Sequence, residues 1–345
     1  MSLQTTDWKG TRCKRAPAWG FIGIDVSKNV LDGFMFTSNS YFTIENNPKG
    51  FAQLLEICMN KFHTKDNLFF CFENTGRYSH LLSVFLTENN ISFSMVNPLD
   101  LKKSMGLKRG KSDKKDAKTI ATYAWKNRDQ LQPTIIHTAQ TEQLKQLLCL
   151  RNKLIKHRTS YKNAIKDLDD CFVDGETDFV KATQTRLIDL LSTEISQVEH
   201  QIELIIDELP SWNNNYHLIQ TIRGVGPVLA KYMIIYTENF TLFNDPRKFA
   251  CYAGIAPFEY SSGTSVKGRT RVHPLANKHL KSLLNMAAMG AIQLEGEYKT
   301  YYKRRTKEGK NKMSTLNIIR NKLVFRIFAV IKRGTPYIDL SKFAA

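Results

Sequence analysis

Several things are scarce in this sequence, and each shortage removes a class of protein. There are six cysteines in 345 residues: Cys13, Cys58, Cys71, Cys149, Cys171 and Cys251. None forms a Cys-x-x-Cys pair and none lies near a histidine at zinc-ligand spacing, which argues against a zinc module or a dithiol redox motif. They read as reduced, mostly buried thiols of a cytosolic protein. No apolar run is long enough to span a bilayer. The N-terminal stretch with Trp8, Lys9, Arg12, Lys14 and Arg15 is not followed by a hydrophobic signal core. The expectation is a cytoplasmic protein without a membrane partner. Negative charge is also short: 32 Asp and Glu face 50 Lys and Arg, for a formal charge of +18. So basic a chain points to a polyanionic partner, of which nucleic acid is the commonest. Solubility alone is the bland alternative, but here the positive charge is clustered.

The pattern of apolar residues divides the chain into four parts. Residues 1–18 read as a basic tail, and residues 19–130 as an α/β domain. In the latter, Phe21-Ile22-Gly23-Ile24-Asp25-Val26 reads as a buried strand, followed by strands over 30–36 and 41–44 in an antiparallel meander. A helix over 48–62, a strand over 67–73, a helix around 78–90 and a strand over 91–96 follow, so the later strands are expected to be parallel. A three-strand meander followed by strand–helix–strand is the order of the ribonuclease H-like fold. Between 138 and 209 glycine occurs once, at Gly175, and proline not at all. There Leu187, Leu191, Ile195, Val198, Ile202, Ile205 and Leu209 recur at three- and four-residue steps, the seam of a coiled-coil arm. Leu144, Leu147, Leu154, Tyr161, Ile165 and Leu168 mark a second helix. A lone hairpin buries little, which favours dimerisation over a plain spacer. Residues 213–345 read as a mainly α-helical domain, with helices from Val228 to near Thr237 and over 274–293 and 314–333, and a short helix and loop within 243–257.

The chemistry-bearing candidates start with Asp25, a carboxylate in mid-strand that is costly to bury unless it is paired or binds a metal. Glu73 ends a second apolar strand, and Asp113 and Asp116 stand three apart at a helix start, on one face. Four carboxylates suffice for two divalent ions, and Mg²⁺ suits such oxygen-rich sites. Helix capping is the alternative for Asp113 and Asp116. Around them cluster Lys102, Lys103, Lys108, Arg109, Lys111, Lys114, Lys115 and Lys118, a phosphate-attracting set or else a solvated helix face. Gly224-Val225-Gly226 between helices is similar to a helix-hairpin-helix loop, whose backbone N–H groups hold phosphate without reading sequence, or is merely a connecting turn. Ser261-Ser262-Gly263-Thr264-Ser265, followed by Lys267, Arg269 and Arg271, offers hydroxyls beside cations. Such a setting eases alkoxide attack on phosphorus; a flexible Ser/Gly loop is the alternative. A further basic run holds Lys303, Arg304, Arg305 and Lys307.

Taken in order, these motifs resemble the insertion sequence 110 family of DEDD transposases and the related Piv-type DNA invertases. The resemblance runs through Gly23-Ile24-Asp25-Val26-Ser27-Lys28, Cys71-Phe72-Glu73-Asn74-Thr75-Gly76-Arg77-Tyr78, Val96-Asn97-Pro98 and Lys111-Ser112-Asp113-Lys114-Lys115-Asp116-Ala117. It continues through Ile222-Arg223-Gly224-Val225-Gly226, Phe249-Ala250-Cys251-Tyr252-Ala253-Gly254-Ile255-Ala256-Pro257, Tyr260-Ser261-Ser262-Gly263 and Lys281-Ser282-Leu283-Leu284. The family's usual Lys-Arg-Gly stretch after the serine motif is replaced by His273-Pro274-Leu275-Ala276-Asn277.

The resemblance implies a prokaryotic recombinase with a RuvC-like domain whose acidic tetrad is Asp25, Glu73, Asp113 and Asp116. It implies that Ser262 is the nucleophile, forming a covalent 5′-phosphoserine with DNA, in a site completed by a second protomer. Homodimers pairing into tetramers, double-stranded donor and target DNA, and a structured non-coding guide ("bridge") RNA are its implied partners. Lys108, Arg109, Lys111, Gly224, Gly226, Lys267, Arg269, Arg271, Arg304 and Arg305 are the expected nucleic-acid contacts. The alternatives are a RuvC-like junction resolvase, which shares the tetrad and does not use Ser262, and a Piv-like invertase.

Overall fold

Strand β1 (Gly20–Val26) lies in the middle of a five-stranded sheet. The computed structural model of the protein describes residues 19–105, 112–134, 138–172, 175, 177–259, 261–262, 266–268 and 270–338. Contacts divide the chain into one unit spanning Met1–Ile136 and another spanning His137–Ala345.

In the first unit β1, β2 (Val30–Met35) and β3 (Ser40–Glu45) form the expected antiparallel meander. Helix α1 (Pro48–Phe62) starts at an Asn47 cap whose side chain accepts from the Gly50 amide. Then come β4 (Leu68–Glu73), α2 (Arg77–Glu88) and β5 (Ser92–Val96), giving the sheet order β3-β2-β1-β4-β5 with β1, β4 and β5 parallel. Expectation and structure agree on every strand to within a residue or two. β4 reads Leu-Phe-Phe-Cys-Phe because it is covered on both faces, as a parallel central strand must be. Ile22, Ile24, Leu68, Phe70 and Phe72 pack towards α1 and α2, with Phe51, Leu54, Leu82 and Leu86. Phe21, Phe69 and Cys71 pack on the other face against α3 (Pro98–Met105) and α4 (Asp113–Lys126), through Leu101, Ile120 and Ala124.

α4 lies very close to β1, and Gly23 is the reason. A Cβ on Gly23 would stand 2.1 Å from the Ala121 amide nitrogen and 2.5 Å from the Ala117 carbonyl oxygen. The helix meets this gap with Ala117, Ala121 and Ala124, all fully buried. A residue pair without bulk on either side lets backbone approach backbone.

The second unit is helical apart from one short hairpin. α5 (Ala139–Cys171) and α6 (Asp178–Asp207) pack together as the arm. After them come α7 (Pro210–Gln220), α8 (Pro227–Thr237), α9 (Pro246–Tyr252), the two-residue strands β6 (Ser261–Ser262) and β7 (Val266–Lys267), α10 (Lys278–Gln293), α11 (Glu297–Lys307) and α12 (Lys312–Arg333). α7 and α11 were not anticipated, because their polar sequences carry no clean apolar stripe. Ile195, Val198, Ile202 and Ile205 of the seam are buried, whereas Leu187, Leu191 and Leu209 are only half-buried. The reason is that the root of the arm is embedded: Leu144, Leu148, Val198 and Ile202 share one core with α8, α10 and α12. Beyond it two helices alone cover only one side of each leucine. Two polar ties fix that root. Arg151 meets Glu199 at 2.6 Å, and Lys231 on α8, only 4% exposed, meets Glu203 at 2.7 Å.

Replacing Gly23 with alanine is expected to destabilise the first unit by about 1–3 kcal/mol through overpacking. Because the overlap is with helix backbone, Ala121→Gly should not restore it. Chemical denaturation of the single and double variants checks this.

Candidate active site

Asp25 points to the α4 side of the sheet, two residues past Gly23 on the same face. Its register partner on β2 is Asp32, and the register that pairs Ile24 with Phe72 sets Glu73 of β4 beside it. Three neighbouring strands thus carry a row of carboxylates along one face: Asp32, Asp25, Glu73. α4 supplies two more. Its N-cap is Ser112, whose hydroxyl accepts from the Lys115 amide at 3.4 Å, which leaves Asp113 and Asp116 in the first turn with their side chains at the site. Capping is therefore the work of the serine, although both aspartates also complement the helix dipole. The close seating of α4 on Gly23 carries this turn to Asp25, and carboxylate oxygens of Asp25, Asp113 and Asp116 all lie within 4.8 Å of one another. Glu73 stands outside that tight trio but acts on Asp25 through space.

The electrostatics show what is missing from such a site. The Asp25 carboxyl is pushed up from 3.8 to about 6, chiefly by burial and then by Asp116, Asp113, Glu73 and Asp32. Several converging anions with a half-buried acid among them fit a bound cation, which would be relieved of most of its water by oxygen ligands. The donor set is all oxygen, the kind hard divalent ions take.

Asp32 was missed by the sequence reading, although its signal matched that of Asp25: an acid within an apolar strand. It is 9% exposed and accepts hydrogen bonds from the Tyr41 hydroxyl and, at 2.9 Å, from the Thr43 hydroxyl. Those two donors fix it in place and hold it apart from the trio.

The basic cluster is only partly free for a ligand. Lys114 lies 5.2 Å above the Tyr41 ring and Lys118 5.2 Å above the Phe34 ring, so these two also tie α4 to β2 and β3. Lys102, Lys103 and Lys115 are exposed. Lys108, Arg109 and Lys111 lie outside the described residues, as does Arg269.

In the second unit, the serine motif stands on an ordered strand. β6 pairs with β7 antiparallel, Ser261 opposite Lys267 and Ser262 opposite Val266, and Phe258 bridges Arg271 further down. Ser262 is therefore the last paired residue before the turn, in a hairpin where a loop had been the alternative. The chain leading to it is anchored: the Ile255 carbonyl accepts from Asn317 at 2.8 Å and from Asn321 at 3.0 Å, both on α12. Arg271 is exposed at the base of the hairpin.

The two glycines of the Gly-Val-Gly loop differ in role. At Gly224, φ is +84° and a Cβ would stand 2.6 Å from the Ala287 carbonyl oxygen, so this glycine is needed for packing on α10. Gly226 caps α8 and faces open space, which leaves it the one available to a phosphate. Arg304 is two-thirds exposed, whereas Arg305 pairs with Glu308 at 2.9 Å.

This pairing of an acid cluster under a sheet with a serine hairpin among helices has close counterparts. A family model for DEDD transposases of the IS110 type, described as "Transposase", matches residues 22–172. A second, described as "Transposase IS116/IS110/IS902 family", matches residues 216–303. The "Pilin gene-inverting protein" of Moraxella lacunata is 30% identical over 327 residues, 92% of this chain and 97% of that protein. The protein of the same name from Moraxella bovis gives the same figures. The chain belongs to the IS110 family of transposases. The "Insertion element IS110 uncharacterized 43.6 kDa protein" of Streptomyces coelicolor is 27% identical over 49% of this chain and 44% of its own length. As a member of the transposase family the protein is a DNA recombinase, which accords with its excess of positive charge. Among the described residues no helix is long and apolar enough to cross a membrane.

Because folding raises the Asp25 carboxyl from 3.8 to about 6, the folded chain binds that proton more tightly than the unfolded chain. Without a cation, this site lowers stability as pH rises through that interval. Asp25→Asn is expected to raise the Tm of EDTA-treated protein more at about pH 7.5 than at about pH 4.5, with Mg²⁺ raising the Tm of the parent but not of the variant. Equal gains at both pH values in a thermal melt would remove the electrostatic account.

Proposed function

We propose that this transposase cuts and rejoins double-stranded donor and target DNA through a covalent 5′-phosphoserine at Ser262, within a RuvC-like domain arrangement whose tetrad is Asp25, Glu73, Asp113 and Asp116. The observation that carries the reading is the trio of carboxylates within 4.8 Å, one of them raised to about 6 by its neighbours. Asp25, Asp113 and Asp116 would hold Mg²⁺, with Glu73 completing a set large enough for two ions. Bound there, Mg²⁺ would offset the negative charge that builds on the phosphoryl oxygens during transfer.

The chain's own residues account for the remainder. Ser262, at the end of a hairpin braced through Ile255, presents a hydroxyl from a fixed strand. In the step, the hydroxyl gives up its proton, a bond forms from the serine oxygen to phosphorus, and the bond to the 3′ oxygen breaks. The departing oxygen takes up a proton and leaves as a 3′ hydroxyl. The phosphodiester is exchanged for another phosphodiester, so the reverse reaction on a new 3′ hydroxyl reseals DNA with no nucleotide triphosphate. Lys267, Arg269 and Arg271 stand in sequence beside the serine to neutralise the backbone, with Lys108, Arg109, Lys111, Gly226, Arg304 and Arg305 as further contacts. A homodimer joined along the distal arm, pairing into a tetramer, would bring the acids of one protomer to the serine of another. A structured guide RNA would supply sequence choice.

Inversion is the second reading. It is favoured by the identity to pilin gene-inverting proteins along 97% of their length. A resolvase would use the acids without the serine.

Ser262→Ala separates these. With labelled DNA and Mg²⁺, the parent should yield a protein–DNA adduct that survives denaturation and the variant none, while Ser261→Ala keeps it. Asp25→Asn should lower adduct formation by at least about 100-fold, in the range that metal-site and transition-state contacts contribute. Undiminished cutting by Ser262→Ala would sink the serine mechanism and leave a resolvase.

A further inference from the structure

The helical unit contains a second feature that neither the acids nor the serine use. Arg223, which precedes the Gly-Val-Gly loop, lines the same open recess as Arg304, which lies 81 positions later on α11. The recess has a volume of about 630 Å³, within the range of small-ligand sites. Its floor is the Tyr301 ring. The Lys322 ammonium lies 4.0 Å from the centre of that ring and the Arg304 guanidinium 5.5 Å. Arg223 reaches it from the opposite side, donating to the Glu295 carbonyl. The packing of Gly224 on α10 sets this geometry, because it holds the loop against the helix end from which Glu295 and Gly296 follow.

The recess is positive even though two acids border it. Glu297 is engaged by Arg326 and Glu295 by Lys299, which leaves three cations around one aromatic ring. Two features decide what fits. Three cations at one mouth select a phosphate. An aromatic floor with carboxylates at its rim is wasted on a bare phosphate, but suits a base, which has a flat face to stack and amino groups to donate. A paired base within a duplex offers neither its face nor a way into a recess.

We propose that this recess seats one unpaired nucleotide of a nucleic-acid strand, with its phosphate among Arg223, Arg304 and Lys322 and its base against Tyr301. The inference rests on the reading of the chain as a nucleic-acid enzyme, and it adds a site that recognises single-stranded character. Arg304, 66% exposed, is the group that gives way to the base and then covers it. Lys322, nearer the ring and half-buried, stays to meet the phosphate.

The test is anisotropy with the full-length protein in EDTA, so that no cleavage intervenes and failure here is separate from failure of the carboxylate and serine chemistry. The probes are a fluorescein-labelled 12-nucleotide single strand, made as RNA and as DNA, the same strand with abasic positions, and a duplex of the same length. Tyr301→Ala is expected to weaken single-strand binding about 5-fold or more, the scale of one lost base stack. Tyr301→Phe should bind as the parent does, and the abasic strand should be insensitive to Tyr301→Ala. Arg304→Gln, on an exposed side chain whose loss spares the core, should weaken single-strand binding and lower the salt slope by about 1. The tighter of the RNA and DNA probes identifies which strand supplies the nucleotide. The proposal is overturned if both variants bind the single strand as the parent does, or if Tyr301→Ala weakens duplex and single strand alike.

Discussion

Everything at the acidic site depends on how near α4 comes to β1. The sheet alone lines up Asp32, Asp25 and Glu73 in a row, and a row of anions on neighbouring strands is only a repulsive edge. What turns it into a cluster is a helix whose first turn carries two more acids, and the helix arrives only because Gly23 has no side chain and Ala117 and Ala121 have little. The packing contact and the chemical contact are thus one element, two residues apart on the strand and one residue apart on the helix. The free energy gained by burying Phe21, Phe69 and Ile120 on that face holds together charges that would otherwise part.

The same contact explains why the folded chain tolerates an unfavourable cluster. Like charges a few ångströms apart and shielded from water raise one another's proton affinity, and Asp25, the most enclosed, carries the largest effect. Asp32 shows the other solution available to a buried acid. Its Tyr41 and Thr43 donors satisfy it locally, so it can lie beside the cluster without joining it. Two acids on adjacent strands, in register, therefore have opposite fates that are set by whether hydroxyl donors stand on the next strand.

Much of the first unit could be read directly from the sequence, because alternation and burial leave plain marks. Leu68 to Glu73 admits no reading but a strand covered on both sides, and Asp25 was conspicuous within its apolar run. Asp32 was just as visible but was passed over, since the carboxylates sought were those at strand ends and helix starts. The second unit was harder. α7 and α11 lack an apolar stripe, and two-residue strands such as β6 and β7 lie below what periodicity can detect. The seam of the arm was legible as a pattern but not as a boundary: Ile195 to Ile205 serve the common core, and only the more distal leucines behave as those of a free hairpin. The difference between Gly224 and Gly226 was beyond sequence altogether, for it turns on the carbonyl of Ala287, more than sixty positions away.

The arrangement of charge in the second unit has a consequence for recognition. Contacts from guanidinium, ammonium and backbone N–H groups to phosphates supply affinity and register, but they do not distinguish one sequence from another. Among the described residues of this unit, Arg223, Arg304, Lys322 and the open Gly226 are groups of that kind, and no helix there presents a row of base-reading side chains comparable to a recognition helix in a major groove. A recombinase built this way has to take its choice of site from base pairing carried by another strand. It then needs some means of telling an opened or looped strand from an intact duplex. An aromatic ring flanked by cations makes that distinction without reading sequence, because stacking rewards any base that has left its partner and ignores every base that has not.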